Sequence, residues 1–157
     1  SIQGSGHKMT DFENKNVVII GNPCAGKTTF YNENKYRFGN HVCFHTDDFM
    51  GFGYEQSLYE LMRRVVLEVD GGRFVVVEGI AGFRLLRKGL ELRCFYPDVV
   101  IKINVSLDIQ AQRYSKRNLS EIKPGVLAMN KANETVFKTY LGMDNPRNPE
   151  IIIIDQN

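Results

Sequence analysis

The segment Gly21-Asn22-Pro23-Cys24-Ala25-Gly26-Lys27-Thr28 satisfies the pattern G-x-x-x-x-G-K-[ST] at every specified position. No other feature constrains this chain as much. Glycines at the two ends let the backbone turn tightly and aim successive N–H groups at phosphate oxygens. A helix opening at Lys27 adds the positive end of its dipole to the same place. Lys27 is then the residue that reaches the β- and γ-phosphates, and the Thr28 hydroxyl the one that ligates Mg²⁺. Gly21 to Thr29 is therefore expected to bind ATP, with Mg²⁺ as the companion ion. A glycine-rich turn with an incidental lysine is the alternative, and context argues against it. Residues 16–20 (NVVII) form a short continuous apolar run, the pattern of a strand buried on both faces, and the loop leads from it into a helical stretch.

Apolar β-branched runs recur along the chain, at residues 41–45, 73–78, 99–105 and 151–154. Helical patterns separate them, at residues 27–36, 54–69, 83–92, 107–116 and 131–141. In the second of these Leu58, Leu61, Met62, Val65, Val66 and Val69 recur three and four apart on one face. Strands alternating with helices imply an α/β fold, a five-stranded parallel sheet covered by helices on both faces. With 157 residues, 43% of them hydrophobic, the expectation is one domain over 10–157 with an ample core. Residues 1–9 (SIQGSGHKM) read as an expression-tag remnant. No apolar run approaches the roughly 20 residues that span a bilayer. Cys24, Cys43 and Cys94 are an odd number without metal-ligand spacing, so they read as free thiols in the reducing cytoplasm. A formal charge of +2 neither demands nor excludes a nucleic-acid partner.

On such a sheet, ligands gather at the carboxyl ends of the strands, and polar residues concentrate there. Asp47 and Asp48 follow the second strand. A carboxylate there can take the proton of an incoming hydroxyl or face Mg²⁺, although Asp also caps helices at such places. We expect Asp47 as the base or metal-side group and Asp48, with Phe49, on the acceptor side; the reverse order of the two carboxylates fits the sequence too. Glu78 ends the third strand, where it can hold Mg²⁺ through water or bind the acceptor. Arg84 is placed to grip the acceptor. Arg113 and Arg117 share a face of the fourth helix, positioned to neutralise charge on the transferred phosphoryl group or to remain solvated. Arg147 is a candidate for contacting the nucleotide base.

With GNPCAGKTT, HTDDF, VVVEGI and QRYSKR in that order, the chain resembles the P-loop kinases, on the side of uridine kinase and related small-molecule kinases. That resemblance covers nearly everything from Asn16 onward. It implies a three-layer α/β/α fold with strand order 2-3-1-4-5, MgATP as donor, a lid around 113–130, catalysis by Asp47, and Arg113 and Arg117 around the phosphates. The chain is much shorter than nucleoside kinases and lacks their extended acceptor region. In size and motif pattern it also resembles the small viral P-loop kinases that phosphorylate hydroxymethyluracil bases within DNA. That likeness implies DNA as a partner and the host cytoplasm as the location, and the basic residues of 84–93 fit it.

The sequence thus points to an ATP-dependent kinase acting on the hydroxyl of a nucleoside-like acceptor, either free or as a hydroxymethylated pyrimidine in DNA. A nucleotide-hydrolysing switch or a toxin-like P-loop module is the other reading. A guanine-reading N-K-x-D segment after a strand would favour a switch, and Asn130-Lys131-Ala132-Asn133 lacks both the terminal Asp and the strand.

Overall fold

The computed structural model describes residues 12–156; the segment read as a tag remnant lies outside them. Five strands, β1 (Val17–Gly21), β2 (Val42–His45), β3 (Val75–Glu78), β4 (Val99–Val105) and β5 (Glu150–Gln156), form one sheet in the order β2-β3-β1-β4-β5. Every pairing is parallel. The helices are α1 (Lys27–Glu33), α2 (Tyr54–Asp70), α3 (Gly82–Glu91), α4 (Leu107–Asn118) and α5 (Pro124–Gly142), with 3-10 turns at Lys35–Arg37 and Thr46–Phe52. The order 2-3-1-4-5 and the three-layer α/β/α arrangement are those expected from the sequence.

β1 is central, and its residues divide by parity. Val18 and Ile20 join Val75, Val77 and Val100 beneath α2, α3 and α5, where Leu61, Val65, Phe83, Leu86 and Phe137 complete one core layer. Val17 and Ile19 face the opposite way, into a smaller layer with Ala25, Phe38, Val76 and Ile101. Strands buried on both faces are apolar throughout rather than alternating, as the run at 16–20 indicated. α4 belongs to neither layer. It buries only Gln110, and polar contacts tie it to the phosphate loop instead.

Two boundaries move by three residues or more from their sequence positions. α5 begins at Pro124, seven residues before the apolar periodicity becomes visible, because proline is well suited to the first helical position while Gly125 weakens the pattern. α1 ends at Glu33, where the Asn34 side-chain amide donates to the Phe30 carbonyl at 2.8 Å and the backbone tightens into the 3-10 turn.

Candidate active site

The phosphate loop leaves β1 at Gly21 and curls back through two left-handed residues, Cys24 (φ 64°) and Gly26 (φ 94°). A Cβ on Gly21 would lie 2.9 Å from the Ile103 carbonyl oxygen of β4, so only glycine lets the two strands run this close. Gly26 caps α1, and the Lys27 Nζ folds back to donate to the Asn22 carbonyl at 2.9 Å. Burial pulls the Lys27 ammonium down from its ordinary value to about 8, against the opposing influence of Glu78 and Asp47.

The loop opens on a pocket of about 160 Å³ lined by Pro23, Cys24, Gly26, Lys27, Thr28, Thr29, Asp47, Glu78, Gly79, Ile80 and Arg117. The carboxyl ends of β1, β2 and β3, with α4 reaching over from β4, thus bring Lys27, Thr28, Asp47, Glu78 and Arg117 together, although they span ninety positions of the chain. Glu78 is buried, and its carboxylate accepts from the Thr28 hydroxyl at 3.2 Å and from His45 Nδ1 at 2.5 Å. No motif in the sequence singles out His45 for a role. Its position is set by the register that pairs His45 with Glu78 across β2 and β3. The other ring nitrogen of His45 lies 3.6 Å from Cys43 Sγ, and Tyr31 meets the ring edge-on at 5.7 Å.

Asp47 and Asp48 part company. Asp47 lines the phosphate pocket, whereas Asp48 lines a groove on the outer side of β2 with Glu60, Arg64 and Glu68. A 3-10 turn rotates successive residues by about 120°, so neighbours in this segment face different directions. Asp48 therefore does not line the phosphate pocket. Phe49 is buried, and it walls a second cavity of about 190 Å³ with Thr46, Tyr54, Ser57, Leu58, Leu61, Ala81 and Arg84. Arg84 stacks over the Tyr54 ring at 3.9 Å, and burial pushes its guanidinium below its ordinary value.

The two arginines of α4 also differ. Arg113 donates from Nη1 to the Cys24 carbonyl at 3.0 Å and from Nη2 to the Gln156 side chain at 3.1 Å, bracing the back of the loop against the end of β5. Arg117, one turn on, lines the phosphate pocket. Arg147 is not at the site. It pairs with Asp98 at 2.8 Å before β4, at the amino ends of the strands and across the sheet from the phosphate loop. The loop that carries it connects α5 to the start of β5, which dictates that edge. The basic run of α3 is likewise not an open patch, since Arg84 turns inward while Arg87 and Lys88 lie 4.0 and 3.4 Å from Glu91.

Sequence reasoning missed the side-chain amides that hold the loop. Gln110, almost fully buried, donates to the Pro23 carbonyl at 2.9 Å and exchanges hydrogen bonds with Asn130 of α5 at 2.8 and 3.0 Å. Buried Asn133 donates to the Asn22 side chain at 3.0 Å. A hint was present, because Gln110, Asn130 and Asn133 occupy the inner faces of their helices where apolar residues would be expected.

This is the fold of small P-loop kinases. Among solved structures the chain is similar to a sugar kinase from Janibacter sp. HTCC2649, at 19% identity and a TM-score of 0.57 over 90% of this chain and 84% of that one. It is similar to a gluconokinase from Sinorhizobium meliloti 1021, at 13% identity and a TM-score of 0.58 over 90% and 82%. A thymidylate kinase from Candida albicans follows the same path at 12% identity, with a TM-score of 0.54 over 90% and 83%. No family model matches the chain, and no curated protein matches it in sequence. These neighbours lend no support to the likeness to viral hydroxymethyluracil kinases.

Among the described residues no helix is long and apolar enough to cross a membrane. No cluster of three or more His, Cys, Asp or Glu residues forms a metal cage among them. A Mg²⁺ bound beside a phosphate loop needs no such cage, because substrate phosphates and water supply most of its oxygen ligands. Thr28 Oγ1 and the Glu78 and Asp47 carboxylates are the hard oxygen donors on this pocket, and they fit that demand.

Proposed function

We propose that this chain is an ATP-dependent kinase that transfers the γ-phosphoryl group to a hydroxyl of a nucleoside-like acceptor. The convergence of Lys27, Thr28, Asp47, Glu78 and Arg117 on one pocket at the carboxyl edge of the sheet carries this reading. The backbone of Gly21 to Thr29 and the start of α1 hold the β- and γ-phosphates, and Lys27 neutralises their charge. Thr28, with Glu78 or Asp47, would hold Mg²⁺, which would supply electrostatic stabilisation of the phosphoryl oxygens.

Asp47 lies where it can orient the acceptor and take its proton. The acceptor oxygen forms a bond to the γ-phosphorus as the bond from that phosphorus to the β–γ bridging oxygen breaks. ADP leaves with the electron pair, and the acceptor proton passes to Asp47. Arg117 faces the charge that builds on the transferred group. Arg113 sets the loop's shape. His45 fixes the Glu78 carboxylate through its Nδ1–H.

The test incubates the protein with Mg²⁺ and ATP labelled at the γ-phosphate, offering free nucleosides in one arm and single-stranded DNA carrying hydroxymethyluracil in the other. Label in an acceptor is expected, lost in Lys27→Ala and reduced at least 100-fold in Asp47→Asn, of the order seen when general acid–base groups are removed. Label appearing only as inorganic phosphate, whatever the acceptor, would overturn the kinase reading in favour of a hydrolysing switch.

A further inference from the structure

Two residues lining the 190 Å³ cavity beside the phosphate pocket, Ser57 and Arg84, each carry an unusual side-chain atom. Ser57 Oγ and Arg84 Nη1 are both buried, and neither has a hydrogen-bond partner among the described residues. The third such atom, His41 Nδ1, lies before β2 at the other edge of the sheet. Buried polar atoms are nearly always paired, and a helical serine ordinarily returns its hydroxyl to the carbonyl four residues back. Ser57 does not do so, although its own N–H meets the Gly53 carbonyl at 2.9 Å. Two orphaned groups lining one cavity, on two different helices, are what a site looks like when its ligand supplies the missing partners.

The cavity is also correctly placed. Thr46 and Ala81 line it, while their chain neighbours Asp47 and Ile80 line the phosphate pocket, so the two spaces share one wall. A group seated in the cavity presents the rest of its molecule towards Asp47.

The remaining walls restrict the ligand's chemistry. Phe49, Met50, Leu58, Leu61 and Ala81 are apolar, and among the described residues Arg84 is the only cationic side chain on the lining. A polyol or sugar acid would leave most of its hydroxyls facing hydrocarbon without partners. A phosphate monoester would bring about two negative charges to a single guanidinium that is already stacked on Tyr54. The volume accommodates one ring, below the roughly 300 Å³ at which pockets begin to enclose whole drug-sized ligands.

Resting on the kinase reading above, we infer that this cavity is the acceptor's recognition site and that it takes a neutral planar heterocycle with a ring carbonyl beside a ring N–H. The carbonyl accepts from Arg84 Nη1. The ring N–H donates to Ser57 Oγ. The ring lies among Phe49, Leu58 and Leu61, and the sugar carrying the ring stays outside. Ser57 and Arg84 are specificity-determining residues under this assignment. A free nucleoside and a nucleotide within a single strand both present this ring edge.

Equilibrium binding to the full chain, followed by calorimetry without turnover, tests the inference independently of catalysis. The probes are thymidine, thymidine 5′-monophosphate, gluconate, a thymidine-containing single strand and the same strand with abasic sites. Thymidine or the thymidine strand is expected to bind, with gluconate and the abasic strand at least tenfold weaker. Thymidine binding together with the strand assigns a free-nucleoside site; binding of the strand alone assigns a base presented on DNA. Ser57→Ala and Arg84→Met are each expected to weaken binding about three- to tenfold, the loss from one buried hydrogen bond.

Ser57→Ala carries a second readout. It should raise the melting temperature of the free protein, because it removes a hydroxyl that is unsatisfied only when the ligand is absent. A serine whose hydroxyl is hydrogen-bonded within the fold would lower it. Unchanged binding in Ser57→Ala, a monophosphate that binds tenfold tighter than thymidine, preference for gluconate, equal binding of the abasic strand, or binding of no probe would each overturn the inference. In all of these cases label transfer in the kinase assay would still stand or fall by itself.

Discussion

Lys27 shows how one side chain can carry opposed demands. It must be charged to hold phosphates, yet burial makes the charge costly, and its folded value near 8 lies below the ordinary 10.5. Between those two values the unfolded chain binds more protons than the folded one, so unfolding takes up a proton and stability rises with pH. Relative to Lys27→Met, the wild-type protein should gain roughly 3 kcal/mol between pH 7 and pH 11, with the change centred on pH 8 to 10.5. Denaturant unfolding of both proteins across that range measures it, and parallel curves would refute the burial argument. Gly79 is constrained by space rather than charge. Its φ of 143° belongs to glycine, and an added Cβ would come within 1.9 Å of Thr46 Oγ1. Gly79→Ala should therefore cost more than about 3 kcal/mol, or prevent folding, because neither the backbone nor buried Thr46 can give way. Of the site residues, Lys27 and Thr28 were legible from a pattern that depends on local backbone alone. Asp48 was not, since its direction depends on a 3-10 turn that the sequence does not announce.

At the scale of elements, α4 and α5 reach the phosphate loop through polar side chains, the Gln110 and Asn133 amides and the Arg113 guanidinium, rather than through a shared core. Gln110→Leu would leave the Pro23 carbonyl and both Asn130 side-chain groups without their partner. A loss of about 1–3 kcal/mol is expected, together with a raised KM for ATP and a smaller change in kcat, because the loop is loosened rather than its reacting groups removed. Steady-state kinetics alongside thermal melting would separate the two effects. The turn between these helices carries Leu119, 91% exposed and left-handed at φ 55° where α4 ends. Glycine suits that position, so Leu119→Gly should stabilise by a few tenths to about 1 kcal/mol despite the greater freedom it gives the unfolded chain. A fall in melting temperature would show that Leu119 is held by something other than the turn. We propose that this segment, within the 113–130 region, is the lid of the kinase site, since Arg117 at its base lines the phosphate pocket. Its polar attachment suits an element that moves.

At the scale of the whole molecule, the sheet separates two edges with different chemistry. The carboxyl edge holds the phosphate pocket and the cavity lined by Ser57 and Arg84. The amino edge holds the Arg147–Asp98 pair and a larger concavity of about 490 Å³ around Tyr96 and Met143. MgATP at 100 times its Kd should therefore stabilise the protein by about 2.7 kcal/mol. That shift should disappear in Lys27→Ala and persist in Arg147→Ala, whose exposed ion pair contributes no more than about 1 kcal/mol. Thermal shift with and without nucleotide measures both, and loss of the nucleotide effect in Arg147→Ala would move the base-binding region to the opposite edge.

The amino-acid sequence by itself determined the sheet, its helical layers and the phosphate loop. Each of these is written in short-range terms: continuous apolar runs for doubly buried strands, three-and-four spacing for the helices, and glycines with a lysine at fixed intervals. Only the tertiary structure decided which polar residues share a space. Parallel register set His45 beside Glu78, and the direction of the chain across the sheet sent Arg147 to the far edge. One turn of α4 separated the roles of Arg113 and Arg117. The packing of α2 against α3 brought Ser57 and Arg84 to one cavity, each with a side-chain atom that has no hydrogen-bond partner among the described residues. Contacts of that kind join residues tens of positions apart, and no local pattern records them, because they follow from how the layers stack rather than from how any one element forms.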